Sequence, residues 1–241
     1  MNLHDRYQKV LDTVAAAAIK ARRDPREVTV VAVTKAATTD QIKQLIELGH
    51  YDLGESRVQQ LQQRAAQIEE WLNRQQGREP RKGQLPPPPP AAIRWHMIGH
   101  LQRNKAGRAV ELFDRVHSVD SAELALALAR RAEAAGRRLP VLVEVNVSGE
   151  ASKFGVAPEA LPELLEAVRA LPALALDGLM TVGPPVERAE DARPCFARLR
   201  ALRDSAERRL GAALPHLSMG MSGDYEVAVA EGSTLVRVGT A

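Results

Sequence analysis

Eight short apolar runs, each separated from the next by room for a helix, set the strongest limit on how this chain folds. They are VTVVAV (28–33), YDLG (51–54), IRWHMIG (93–99), FDRVHSV (113–119), VLVEVNVS (141–148), LALDGLM (174–180), LPHLSMG (214–220) and TLVRVG (234–239). Several are β-branched and nearly continuous, the pattern of a strand buried on both faces. Most intervening segments carry apolar residues at helical spacing, as in TTDQIKQLIELG, SAELALALARRAEAAG and APEALPELLEAVRAL. Parallel strands need such crossovers, so the alternation calls for a parallel sheet covered by helices. Eight units in 241 residues fit a (β/α)8 barrel, whose usual length is about 250 residues. An open doubly wound sheet would favour a glycine-rich turn after the first strand, and TKAATTD contains no glycine. The expected fold is α/β, a single (β/α)8 TIM barrel spanning 1–241 as one domain.

An additional helix precedes the first strand, with Leu3, Tyr7, Val10, Leu11, Val14 and Ala18 on one face. One segment breaks the rhythm. NRQQGREPRKGQLPPPPPAA, about residues 73–92, is polar and holds five consecutive prolines, Pro86 to Pro90. Proline fixes φ and favours an extended arm, so a stiff surface loop is expected ahead of the third strand. Aromatics are only 3% of the chain while hydrophobic residues are 45%, so Val, Leu, Ile and Ala must build the core.

Charge and cysteine content narrow the function. The net charge of +3 comes with basic pairs such as Arg22-Arg23 and Arg208-Arg209 beside helical patterns. These read as solvated helix faces, not as a nucleic-acid stripe. The single cysteine, Cys195, permits no internal disulfide and no thiolate metal cluster, and no metal site is expected. No run approaches the roughly 20 apolar residues of a membrane span, and the N-terminus lacks a signal-peptide pattern. A cytoplasmic protein is expected.

In a barrel, chemistry gathers at the C-terminal ends of the strands. Those ends carry Lys35, Gly54-Glu55-Ser56, His96 to His100, His117, Asn146, Met180-Thr181, Ser218 to Ser222, and Arg237-Gly239-Thr240. SMGMSGD offers small residues, backbone N–H groups and two hydroxyls ahead of a helix, and RVGT follows one strand later. Loops after the seventh and eighth strands often hold phosphate. A lysine facing such a site could condense with an aldehyde, given partial desolvation and a cationic neighbour to supply the neutral amine. Pyridoxal 5′-phosphate (PLP) and sugar phosphates both satisfy that description.

The motifs VAVTK, LGESRVQQL, WHMIGHLQRNK, VNVSGEASKFGV, GLMTV and LSMGMSGDYEVAVAEGSTLVRVGTA together resemble the pyridoxal phosphate homeostasis protein family. The resemblance implies a barrel like the N-terminal domain of alanine racemase, with PLP held as a Schiff base on Lys35. It implies phosphate contacts from Ser218, Gly220 or Ser222 and from Gly239 and Thr240, and places Arg237 against the ring nitrogen or the phosphate. Asn146 and Met180 are expected near the cofactor, with Ser56 and His96 as further pocket candidates. The family usually has Asn where this chain has Ser56, which weakens that contact.

Two functions compete on this basis. One is intracellular PLP homeostasis, buffering or delivering the cofactor to apo PLP-dependent enzymes without turnover. The other is a small fold-III-like enzyme acting on amino acids, such as a racemase. Racemisation needs an acid–base group on each face of the cofactor. In alanine racemase the second group is a tyrosine from another domain of a partner subunit. Tyr7, in the first helix, and Tyr51, at a strand start, are poorly placed for that role, and Tyr225, after the phosphate loop, reads as a packing residue. The expectation is a monomeric carrier with no catalytic residue.

Overall fold

The computed structural model describes residues 2–76 and 88–240. Helix α1 (Leu3–Lys20) comes first. Strands β1 (Thr29–Val33), β2 (Asp52–Glu55), β3 (Arg94–Met97) and β4 (Arg115–Val119) follow, with α2 (Thr39–Glu47), α3 (Val58–Gln75) and α4 (Ala106–Leu112) between them. The second half contains α5 (Ala122–Ala134), β5 (Leu139–Glu144), α6 (Leu161–Arg169), β6 (Leu174–Met180), α7 (Arg193–Leu210), β7 (His216–Met221), α8 (Tyr225–Ala230) and β8 (Leu235–Val238). The strands form a closed parallel barrel in sequence order, and β8 returns to β1 with Val31 opposite Arg237. The α/β barrel read from the sequence is the fold observed.

Local signals explain several boundaries. Thr38 caps α2 in a reciprocal capping box with Gln41, the T-x-x-Q pattern that satisfies exposed helix N–H groups from both sides. Gly211 ends α7 at φ 60°, a left-handed conformation that glycine adopts without steric cost. The fifth strand departs from its expected 141–148 window. It starts at Leu139 and stops at Glu144, because Asn146 turns the chain into a loop that returns at Val156. Of the polar insertion expected at about 73–92, residues 77–87 lie outside the described residues. The part before them continues α3, and Pro90–Ala92 forms a 3-10 turn ahead of β3.

Alternation along the strands sorts residues into two environments. Val30, Val143, Leu179 and Val236 face the helices and join the outer core. Their neighbours Val31, Leu142, Met180 and Leu235 form a separate small cluster within the barrel. Above and beside that plug the interior is polar, with His96, His117, Glu144, Ser218 and Arg237 all buried. A barrel interior that carries this many polar groups needs each one paired, because an unpaired buried polar atom is costly.

Candidate functional site

Lys35 stands in the turn just beyond β1, and the backbone around it is tied down from three directions. Gln60 donates to the Lys35 carbonyl at 2.7 Å, and Arg64 donates to the carbonyls of Thr34 and Ala37. The Thr34 hydroxyl donates to Glu55 Oε1 at 2.6 Å, and Arg64 pairs with the same carboxylate. Glu55 is fully buried, so the cluster forms a fixed mount under the turn. The Lys35 side chain itself is exposed. The protein alone does not provide the partial burial expected of it, since the turn projects past the strand end.

Loops seven and eight meet beside this turn. The N–H groups of Gly239 and Thr240 both donate to Ser222 Oγ at 3.1 Å, so two backbone donors converge on one oxygen. A Cβ on Gly239 would lie 3.0 Å from Val33 Cβ and 3.1 Å from its carbonyl oxygen, so the eighth loop lies directly against the end of β1. Gly220 has φ 92°, and a Cβ there would lie 2.5 Å from Ala228 Cβ. That close approach brings the seventh loop down onto α8. Asp224 closes the turn by accepting from the Met221 N–H at 2.6 Å.

Arg237 occupies the interior below these loops. Its Nη1 donates to Ser218 Oγ at 2.7 Å and its Nη2 to the Thr181 carbonyl at 2.9 Å. Burial pushes its pKa down to about 10, partly offset by Glu144 and Asp224, so it remains a cation at neutral pH. Glu144 points inward at the end of β5. Burial, with a smaller push from Asp120 and a counter-pull from Arg237, raises its carboxyl to about 7. Its Oε2 is buried without a hydrogen-bond partner, as is Ser118 Oγ at the end of β4.

Comparisons with known proteins identify the family. The family described as alanine racemase, N-terminal domain, matches residues 15–241. The pyridoxal phosphate homeostasis protein of Aquifex aeolicus is 37% identical over 240 residues, covering 100% of this chain and 96% of that protein. This chain belongs to the pyridoxal phosphate homeostasis protein family. The PipY protein of Synechococcus elongatus, solved with PLP bound, is 32% identical with a TM-score of 0.76. That match covers 94% of this chain and 98% of PipY. Alanine racemase of Clostridium difficile shares the fold at 14% identity and a TM-score of 0.67, with 98% of this chain matching 56% of the racemase.

Within this family member, the residues singled out from sequence divide into three groups. Lys35, Gly220, Ser222, Gly239 and Thr240 gather at the mouth, where phosphate-loop chemistry was expected. Ser218, Met180 and His96 are buried in the interior below it. Ser218 is engaged by Arg237 and His117, and His96 lies between Asp52 and His117. Asn146 faces its own loop: Nδ2 donates to the Glu150 carbonyl at 2.9 Å, and Oδ1 accepts from the Gly149 N–H at 3.0 Å. Ser56 sits beneath the third loop, where a Cβ on Gly99 would lie 2.5 Å from the Ser56 carbonyl oxygen. His100 pairs with Asp120 at 3.2 Å and stacks on Phe154, linking the third and fifth loops. No cluster of metal-ligating side chains occurs among the described residues.

Sequence reasoning gives no role to Glu144, which shares the face of the fifth strand with Asn146, and does not find Thr34, Glu55 and Arg64 as the mount for Lys35. Glu144 carried a usable signal. An acidic residue inside an apolar strand run is a candidate functional group because burying its charge is expensive.

Proposed function

We propose that this protein binds PLP at the C-terminal mouth of its barrel and holds it for buffering or delivery, with Lys35 as the Schiff-base lysine. One observation carries the reading: the Gly239 and Thr240 N–H groups converge on a single oxygen, against the strand end that leads to Lys35. Two backbone donors that already share one oxygen suit a phosphate oxygen in the same way. Ser222 would then turn its hydroxyl to donate as well. Arg237 supplies a buried positive charge below, and the residues present therefore fit an anionic aldehyde.

In this reading Lys35 supplies the attacking amine, and the tied backbone of residues 34–37 keeps its Cα in place. Gly239, Thr240 and Ser222 bind the phosphate, Gly220 gives the loop its close approach to α8, and Arg237 anchors the polar side of the ligand. Met180 forms part of the apolar plug beneath, while Ser56 borders the mouth. Bound there, PLP supplies an aldehyde and an electron-withdrawing ring.

The absence of turnover belongs to the same proposal. Tyr7 on α1 pairs with His50 at 3.3 Å, Tyr51 packs on the outer core, and Tyr225 lies in the core between α1 and β8. Each is engaged in pairing or packing with the elements around the barrel. The whole chain then acts as one PLP-binding barrel, a monomer in the cytoplasm that serves apo PLP-dependent enzymes. No helix is long and apolar enough to cross a membrane among the described residues.

Borohydride reduction of the PLP-loaded protein should leave the ligand covalently on the peptide containing Lys35. Lys35→Ala should abolish trapping yet retain weak binding of PLP. Incubation with L-alanine in deuterium oxide should give negligible α-deuterium and no D-isomer. Trapping on Lys105 or Lys153 would refute the lysine assignment, and sustained racemisation would refute the carrier assignment.

A further inference from the structure

Five side chains from five strands form one hydrogen-bonded line through the barrel. Asp52 on β2 meets His96 on β3, with Nε2 to Oδ1 at 3.0 Å. His96 Nδ1 lies 2.9 Å from Nε2 of His117 on β4. His117 Nδ1 lies 2.9 Å from Oγ of Ser218 on β7, which accepts from Arg237 on β8 at 2.7 Å. All five residues are buried. The line runs from the start of β2, where Arg94 also pairs with Asp52, to the guanidinium beneath the mouth.

The two ends fix its direction. A guanidinium can only donate, and an ionised carboxylate can only accept. Burial pushes Asp52 toward its neutral form, but hydrogen bonds from Arg94 and His96 outweigh it and hold the carboxyl well below its ordinary range. At the other end Arg237 donates a hydrogen bond to Ser218 Oγ, leaving the hydroxyl hydrogen for His117 Nδ1. His117 then donates from Nε2 to His96, and His96 donates from Nε2 to Asp52. In the reverse direction Ser218 would receive two donors, and its own hydrogen would have no acceptor in the line. Burial, reinforced by the nearby His96, Arg237 and Arg115, drives the His117 pKa well below its ordinary value, consistent with a neutral ring.

This line cannot carry a proton to the mouth, because a guanidinium has no lone pair to receive one. It conveys orientation. Two of the Arg237 nitrogens are fixed, one by Ser218 and one by the Thr181 carbonyl, which sets the plane of the group. The carboxylates whose charges act on Arg237 are Glu144 and Asp224. Donating onward to His117 also makes Ser218 Oγ a better acceptor, since hydrogen bonds in a chain polarise one another.

We propose that Asp52, His96, His117 and Ser218 are positioning residues for Arg237, a one-directional line that locks its plane and presents its remaining N–H groups and charge to the ligand. The proposal rests on the reading that the mouth holds PLP, although the line is testable without the ligand.

Two-bond 1H–15N spectra of the full-length, ligand-free protein should show both His96 and His117 protonated at Nε2. With PLP, Ser218→Ala should weaken retention about tenfold and shift the absorption band of the bound ligand. His117→Leu should do the same. His117→Gln should stay close to wild type, because an amide can accept from Ser218 and donate to His96. Thermal melting of every variant separates lost binding from lost folding. An Nδ1-protonated or doubly protonated ring, wild-type binding by Ser218→Ala, or equal losses in His117→Gln and His117→Leu with both folded, would overturn the line. A wild-type protein that shows both Nε2 protons but retains no PLP would instead overturn the functional reading.

Discussion

Glu144 shows how one residue can tie the site to pH. Its ordinary pKa is 4.5 and burial raises it to about 7. Below about 4.5 the folded and unfolded chains both hold the proton. Between about 4.5 and 7 the unfolded chain loses it while the folded chain keeps it, so this group makes stability fall as pH rises. Above about 7 the folded chain carries the full cost of a buried, partly unpaired carboxylate. Glu144→Gln should remove that dependence. Relative to wild type, urea unfolding of the variant should improve by about 2–3 kcal/mol between pH 5 and pH 8. Parallel pH profiles for the two proteins would show that Glu144 is ionised throughout or is solvated in solution.

The seventh loop and α8 act as one element. Gly220 at φ 92° allows the loop to lie against Ala228 and Tyr225, and Asp224 closes the turn that starts the helix. An alanine at 220 would have an unfavourable backbone and a Cβ inside van der Waals contact, so Gly220→Ala should cost about 1–3 kcal/mol. The loss should also fall unequally on ligands. PLP should weaken strongly, because the displaced loop carries Ser222, while pyridoxal without its phosphate should change little. Equal losses for both compounds, measured by equilibrium dialysis, would mean that the seventh loop does not form the anion site. The fifth loop illustrates the opposite case. Asn146, expected near the cofactor, binds the backbone of its own loop through the Glu150 carbonyl and the Gly149 N–H.

Across the whole molecule, α1 covers the β1–β8 seam that closes the barrel. Val10, Val14 and Ala18 share a cluster with Tyr225, Val229, Val236 and Val238. Arg23 extends this contact by donating to the carbonyls of Val229 and Ser233, both at 2.8 Å. Charge-assisted bonds of this kind make Arg23→Ala destabilising by about 1.5–3 kcal/mol. Because the seam belongs to the same packed barrel, urea unfolding should remain a single transition with an unchanged slope. Two separated transitions would show α1 to be an independent unit.

The amino-acid sequence determined the layers and the mouth of this protein. Helical and strand periodicities are local, so the eight strands, the capping box at Thr38 and the strand-end position of Lys35 could be read without coordinates. The seventh and eighth loops were legible for the same reason, since their glycines and serines are contiguous. Pairing across the barrel interior was not. Strand alternation shows that His96, between outward Trp95 and Met97, points inward, but not which residue it meets. That depends on barrel closure and register, which bring Asp52, His96, His117, Ser218 and Arg237 from distant parts of the chain into line. Tertiary structure alone shows that Ser218, read as a phosphate contact, also accepts from Arg237 and meets His117. A hydroxyl can both donate and accept, and only its neighbours in space decide which groups it meets.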